Sequence, residues 1–395
     1  MPAPTRTAAL TWWRHSLLGR HLLVAALGLL VVVAVLESVS DFRNVQLASM
    51  AYLGIAAGGL TVLTGLNGQL SLGHGALMAV GAYTTALCLP GPDAVVPLPV
   101  AVLASVLVTL LVGALVGVAA ARLHGPYLAG ATLALAVAVP GLALFFEERL
   151  GGEQGLRVAL PEIPAWVLDL AFFVTGQELT RSRYVAYLGW LTLLVTFVLL
   201  ANLSRSRVGR RWRAVRDGEV AAELAGIRLG QARVSAFVVS AAAAGAAGAM
   251  MAISVRLAAP SGFTLTLSLT LLTAVVLGGL GSLAGALVGA ALLTFLPQLV
   301  TRIGTDAGLS DIQAAELSPL VYGLVMVLVV LLAPAGLVGT LRLALLRRRA
   351  RRPASPVAGI PDPRHIPDSP GPSDSPGRPA GQTHDPATTS KGHTS

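Results

Sequence analysis

Apolar residues run along this chain in long blocks, not in the alternation of a strand or the narrow stripe of a surface helix. A hydrocarbon core about 30 Å thick needs about 20 apolar residues, each rising 1.5 Å along a helix. By that measure the pattern predicts spanning helices at 21–36, 45–64, 69–89, 98–121, 127–146, 184–203, 233–253, 265–280, 283–300 and 318–340. The run 265–300 is too long for one crossing. Gly278, Gly279, Gly281 and Ser282 interrupt it and are the expected hinge. The expected fold is all-α, a polytopic transmembrane bundle of about eight to ten spans with broken or re-entrant helices. The span 69–89 and the 265–300 pair are the candidates for half-helices. A short echo joins them: Gly68-Gln-Leu-Ser71-Leu72 resembles Gly279-Leu-Gly-Ser282-Leu283, as in transporters built from inverted repeats.

Basic residues between the blocks set the orientation. Arg6, Arg14 and Arg20 precede the first block, and Arg122 and His124 follow the fourth. Arg205, Arg207, Arg210, Arg211, Arg213, Arg216 and Arg228 crowd the segment 204–231, and Arg342, Arg347, Arg348, Arg349, Arg351 and Arg352 close the last block. Cytoplasmic loops carry the excess of arginine, so both termini and the loop 204–231 are expected inside, and the loop 147–183 outside. That outer loop holds Gly151, Gly152, Gly155, Pro161, Pro164 and Trp166. The expected organisation is a cytoplasmic N-terminus at 1–20, a transmembrane domain at 21–346, and a basic, then Pro/Ser-rich cytoplasmic tail at 347–395, with 353–395 disordered. Glu37 and Ser38 follow the first block without a small-x-small cleavage pattern, which predicts a retained helix and not a signal peptide.

Composition narrows the function classes. Of 395 residues, 54% are hydrophobic and 12% charged, about half the charge of a soluble domain, and the mean hydropathy is +0.74. Lys and Arg number 28 against 19 acidic residues. Because the arginines sit between apolar blocks, this excess marks membrane orientation and no nucleic-acid partner is expected. The sole cysteine, Cys88, excludes an intrachain disulfide. A P-loop needs Gly-Lys-Ser/Thr, and the sole lysine, Lys391, precedes Gly392. The predicted spans hold no Asp, Glu or Lys, so a proton relay of carboxylates is missing too. No H-E-x-x-H, C-x-x-C or G-x-S-x-G motif occurs; no metal, cofactor or catalytic residue is expected. The chain is then either a passive pore or a conduit driven by another subunit.

Two segments carry candidate chemistry. In Thr64-Gly-Leu-Asn67-Gly-Gln69-Leu-Ser71-Leu-Gly-His74-Gly75, polar groups interleave with glycines at membrane depth. Broken backbone there is tolerated where it faces protein or a water-filled cavity. Asn67, Gln69, Ser71 and His74 are the expected pathway residues, and a helix starting near Ser71 would aim free N–H groups at a substrate carboxylate. Close helix packing through small residues is the competing reading. The second segment is the loop Gly209–Arg228. A single amphipathic helix is expected over 211–225, with Trp212, Val215, Val220 and Leu224 as its apolar members and Gly226 ending it. Such a helix suits docking into a partner's groove. Its arginines would also suit anionic headgroups, but Glu219 and Glu223 have no use there.

Four stretches resemble the LivM-type permease subunits of branched-chain amino acid ABC transporters. They are TGLNGQLSLGHGALMAVGAYTTA (64–86), GRRWRAVRDGEVAAELAGIRLGQARVSAFVVSAAAAGAAGAM (209–250), VVLGGLGSLAGALVGAALL (275–293) and YGLVMVLVVLLAPAGLVGTL (322–341). GGEQGL (151–156) looks like the glycine motif of that family's external loop, and the likeness runs from about 45 to 346. The small residues of GHGAL and the Pro/Ser-rich tail depart from the family pattern. The resemblance implies a multi-pass protein of the bacterial plasma membrane, paired with a second, LivH-like permease. It implies two cytoplasmic ATPase subunits and an external solute-binding protein as further partners. The family's coupling loop carries an E-A-A…G pattern, which falls here on Glu219, Ala221, Ala222, Glu223 and Gly226, with Arg216 just before it. The expected activity is import of branched-chain or related amino acids, urea or short amides by alternating access. A self-sufficient passive channel for a small polar solute such as urea is the other reading.

Overall fold

The computed structural model of the chain describes residues 17–91, 96–123, 126–333 and 336–350. Arg6, Arg14, His124, Arg351, Arg352 and the expected disordered stretch 353–395 lie outside the described residues. The chain divides into two units, 1–347 and 348–395, and of the second only the end of its leading helix is described.

The first unit is a helical bundle. Its helices are α1 (Leu17–Ser38), α2 (Asp41–Leu60, continued by a π-helical turn Thr61–Leu66), α3 (His74–Cys88), α4 (Leu98–Ala120) and α5 (Pro126–Phe145). They continue with α6 (Glu147–Leu150), α7 (Ala165–Thr175), α8 (Arg181–Arg205), α9 (Arg207–Asp217), α10 (Glu219–Leu224) and α11 (Leu229–Val255). The last are α12 (Leu265–Gly278), α13 (Leu283–Asp306), α14 (Asp311–Leu332) and α15 (Gly336–Ala350). One two-stranded antiparallel ladder pairs β1 (Leu156–Arg157) with β2 (Leu257–Ala258). Among the described residues, eight helices are long and apolar enough to cross a membrane.

Specific bonds order the two ends of the bundle. His21 Nδ1 lies 2.7 Å from Asn202 Oδ1, which ties the start of α1 to the end of α8. At the opposite end Arg183 pairs with Glu37 at 2.9 Å, and Tyr187 donates to the other Glu37 oxygen at 2.6 Å. Thr180, the N-cap of α8, donates to Asp41 at the start of α2. The 25 residues of α8 then travel about 38 Å to the arginine-rich segment, and the 27 of α11 return about 40 Å to β2. The loop 146–180 and the ladder therefore share one end of the bundle, and α9 and α10 the other.

The centre belongs to α2 and α11, where 72% and 78% of the apolar window is buried. Helices α4, α8 and α13 are buried over only 28% of theirs. Their outward faces present Leu111, Leu115, Leu199, Leu299 and other large apolar groups, which lipid solvates and water would not. Alanine and glycine in α11 let its neighbours approach backbone to backbone, the contact that dispersion favours where lipid offers no hydrophobic drive. A Cβ on Gly248 would overlap the carbonyl of Met78 in α3. A hydroxyl bond between Thr85 and Ser105, 2.7 Å, joins α3 to α4 beside it.

The span 69–89, a half-helix candidate, is helical only from His74 to Cys88, about 22 Å, too short to cross alone. The structure departs from the hydropathy reading at two places. The span 318–340 is interrupted at Ala333, whose φ −133 and ψ 67 are not helical, because Pro334 follows it. The loop 147–183, expected outside, contains α7, none of whose residues is buried. The interruption of 265–300 falls where the glycines place it, between Gly278 and Leu283.

Gly248→Leu should lower stability by about 3 kcal/mol or more, since the new atoms meet backbone and not a movable side chain. Gly141→Ala, where nothing lies within 4 Å, should be neutral or slightly stabilising. Thermal unfolding of the two detergent-solubilised variants checks both outcomes.

Candidate functional site

The first break in the bundle follows from hydrogen-bond accounting. Within an α-helix the carbonyl of Gly65 would accept the N–H of residue 69. Instead α2 widens into a π-turn, the Asn67 N–H bonds Val62 O, and the Gln69 N–H reaches back to Leu63 O at 3.1 Å. Gly65 O is left without a helical partner. Gln69 Nε2 donates to Asn67 Oδ1 at 2.6 Å, and Thr64 Oγ1 donates to Gln69 O at 3.1 Å, closing the turn.

From there the chain climbs back into the bundle without helix. His74 Nε2 donates to Ala56 O at 3.0 Å, ten residues and about 15 Å above Leu66 along α2. A carbonyl only accepts, so this bond fixes the hydrogen on Nε2 and leaves Nδ1 as the acceptor. The freed backbone is covered by side chains of other helices. Leu72 N–H donates to Thr132 Oγ1 of α5 at 3.0 Å, and Gly75 N–H donates to Ser268 Oγ of α12 at 2.9 Å.

The expected helix start near Ser71 is therefore displaced to His74, with Gly73 as its N-cap. Its Gly75 N–H is occupied by protein and does not point free into a cavity. Asn67, Gln69, Ser71 and His74 are all buried. The structure brings Asn67 and Gln69 together at the break and sets His74 deeper, between α2 and α3. Three of their atoms, Asn67 Nδ2, Ser71 Oγ and His74 Nδ1, are buried without a partner.

A second break meets the first, and the start of α15 meets the second. A Cβ on Gly65 would overlap the backbone nitrogen of Gly281, and one on Gly281 would stand 3.3 Å from Gly65 O. A Cβ on Gly336, at the start of α15, would overlap Gly279. Of the expected hinge residues, Gly281 thus lies against Gly65 and Gly279 against Gly336, while Gly278 packs on Gly285 of α13. Ser282 caps α13 by accepting the Gly285 N–H at 3.2 Å.

The arginine-rich segment forms an elbow beside these breaks. The expected single helix 211–225 is two helices, because Gly218 between them is extended at φ 179, ψ 105. Ser206 caps α9 by accepting the Val208 N–H. Trp212 and Val215 are buried, and the Trp212 indole donates to Ser235 of α11 at 2.9 Å. After the bend at Gly218 the apolar stripe does not continue inward. Ala222 is buried, whereas Val220 and Leu224 are 74% and 86% exposed, with Ala221 and Glu223 beside them. Gly226 ends α10 as expected: at φ +80 its N–H bonds Glu223 O, and the next N–H, of Ile227, bonds Ala222 O.

Two arginines bind the elbow to the bundle. Arg233 of α11, side chain 6% exposed, meets Glu219 at 2.6 Å and also donates to the carbonyl of Ala121, the C-cap of α4. Arg216 donates to the free Gly65 carbonyl at 2.6 Å and is steered by Asp217 at 2.8 Å. Hydropathy leaves Arg233 at the edge of a span, and no spacing rule links residue 216 to residue 65. The Glu37–Arg183 pair, 146 positions apart, is hidden in the same way. Among the described residues no group of three or more His, Cys, Asp or Glu stands where a metal could bind.

Trp212→Ala removes a wholly buried indole and should cost about 3–5 kcal/mol, felt locally at the elbow. Hydrogen exchange should quicken across 207–217 and stay slow in the buried half of α11; uniform quickening would show that the elbow and the bundle unfold as one.

Known proteins bear on this architecture. Residues 45–330 match the family described as branched-chain amino acid transport system / permease component. The chain is 32% identical over 336 residues to the high-affinity branched-chain amino acid transport system permease protein LivM of Salmonella typhimurium, covering 79% of this chain and 73% of that one. It is 32% identical over 310 residues to LivM of Escherichia coli, covering 74% and 69%. To the corresponding permease protein BraD of Pseudomonas aeruginosa it is 26% identical over 296 residues, covering 71% and 89%. No solved structure matches the chain. A bundle of lipid-facing helices with membrane-depth breaks, matched over most of its length, places the chain in the family of branched-chain amino acid transport system permease components, as a multi-pass membrane transport subunit and not an enzyme.

Proposed function

We propose that this chain is a translocating subunit of an ABC importer for branched-chain amino acids. A second, LivH-like permease, two cytoplasmic ATPase subunits and an external solute-binding protein complete it. The relatives' substrate class supports the cargo. The observation that carries the mode of action is the elbow. It exposes Val220 and Leu224 at the arginine-rich end of a bundle that offers no lysine for a P-loop of its own. Two large apolar side chains on a solvated, glycine-terminated helix fit a groove of a partner protein.

The positive-inside rule puts the loop 204–231 in the cytoplasm. Strict alternation of the crossings then puts the N-terminal segment 1–20 and the tail 347–395 on that side, and 147–183 outside. In this reading α10 docks through Val220, Ala221, Glu223 and Leu224. Gly226 sets its end, while Arg216, Glu219 and Ala222 face the bundle and carry motion inward. ATP-driven closure of the partner moves the elbow, and the breaks at 66–73 and 278–282 give way. The unpartnered Asn67 Nδ2, Ser71 Oγ and His74 Nδ1, with Gln69, then line the path of the zwitterion.

The test is uptake of labelled leucine into vesicles holding the assembled transporter. Val220→Asp with Leu224→Asp should cost about 2 kcal/mol or more of docking energy, about 30-fold in ATPase affinity. The ATPase subunits should no longer co-purify. Glu223→Lys or Gly226→Pro should separate hydrolysis from uptake while membrane insertion stays intact. Full uptake by all of these variants, or uptake by this chain without ATPase subunits, would overturn the reading.

A further inference from the structure

We propose that Arg216 is the positioning residue that transmits movement of the elbow to an inner gate formed by the backbone contact of Gly65 with Gly281. The proposal rests on the docking reading above and adds the element through which docking acts.

Four observations converge on it. Gly65 O is the carbonyl orphaned by the π-turn, and the Arg216 guanidinium takes it at 2.6 Å. A cation on a carbonyl that has lost its helical donor makes a stronger bond than a neutral partner would. The same oxygen faces Gly281, so the arginine holds one lip of a contact whose other lip is the second break. Gly68 is left-handed at φ +80, and a Cβ there would stand 3.0 Å from Arg216 Cγ, so the arginine stem lies along the broken segment itself. Finally, Arg216 is the penultimate residue of α9, next to the extended bend at Gly218 where α9 and α10 join.

The elbow is therefore hung from two kinds of bond. Trp212 to Ser235 and Glu219 to Arg233 tie it to α11, a long central helix. Arg216 alone among these ties it to the end of α2, where the backbone is irregular and deformable. A push on α10 meets resistance along α11 and displaces the joint at Gly218, carrying Arg216 and the Gly65 lip with it. While the strap is made, the backbones of Gly65 and Gly281 touch and leave no room for a solute between them. Asp217 keeps the guanidinium oriented through the stroke, with its Oδ1 2.9 Å from Arg216 Nε.

The experiment uses the complete transporter, this chain with its partner permease, ATPase subunits and binding protein, in proteoliposomes. Uptake and hydrolysis are read in the same vesicles. Arg216→Ala should keep the ATPase subunits bound and hydrolysing while uptake per ATP falls about tenfold, the weight of one charged hydrogen bond. Arg216→Lys should recover part of that loss, because an ammonium reaches the carbonyl but lacks the planar fork. Gly68→Ala, which displaces the stem with Arg216 present, should reproduce the defect. The double variant should be no worse than the worse single one, since both act through one strap. Unchanged uptake per ATP in Arg216→Ala, additive losses in the double variant, or release of the ATPase subunits by Arg216→Ala would each overturn the proposal. Failure of docking itself has a different signature: the Val220/Leu224 pair would then keep full coupling whatever Arg216 does.

Discussion

A backbone that leaves helical geometry inside lipid must find a protein partner for every N–H and C=O it frees. That obligation organises this molecule. The chain interrupts its helices at 67–73 and 279–282, and groups freed there are met by side chains. Thr132 and Ser268 take freed N–H groups, Ser282 caps its own helix, and Arg216 takes the orphaned Gly65 carbonyl. The polar side chains around the breaks belong to this covering work first. What they leave over is three buried polar atoms without a partner, at Asn67, Ser71 and His74.

Close packing makes the covering possible. A hydroxyl on α5 or α12 reaches the 67–75 backbone only because helices here approach within small-residue distance. The alanine-rich face of α11 sets that scale for the whole centre. Glycines at the interruptions extend it to the point where two breaks touch backbone to backbone. The cost is steric: such a contact has no flexible side chain to absorb a change.

Charge is used sparingly and in three ways. Glu37, Arg183 and Tyr187 clamp α1 to α8 at one end, mostly shielded from solvent. Arg233 and Glu219 clamp the elbow to α11 at the other. Arg216, with a side chain 38% exposed, is the looser member, bonded to a carbonyl and to its neighbour Asp217. Two rigid anchors and one compliant link thus coexist in the bundle.

Much of the architecture was legible in the residues alone. Long apolar blocks forced membrane helices, glycines at 278–281 forced the break in 265–300, and Gly226 forced the end of α10, because length, hydropathy and left-handed backbone are local properties. The bend at Gly218 escaped that reading: glycine permits an extended residue without requiring one, so 211–225 read as one helix with Trp212, Val215, Val220 and Leu224 on one stripe, whereas the bend buries the first two and exposes the last two. Ser71 likewise looked like a helix start until Thr132 and Ser268, from helices distant in the chain, took the N–H groups of Leu72 and Gly75. The pairings Glu37–Arg183, Glu219–Arg233 and Arg216–Gly65 were decided only by the tertiary structure. They join helices through space, and no period or spacing along the chain encodes which free carbonyl an arginine will meet once the bundle has closed.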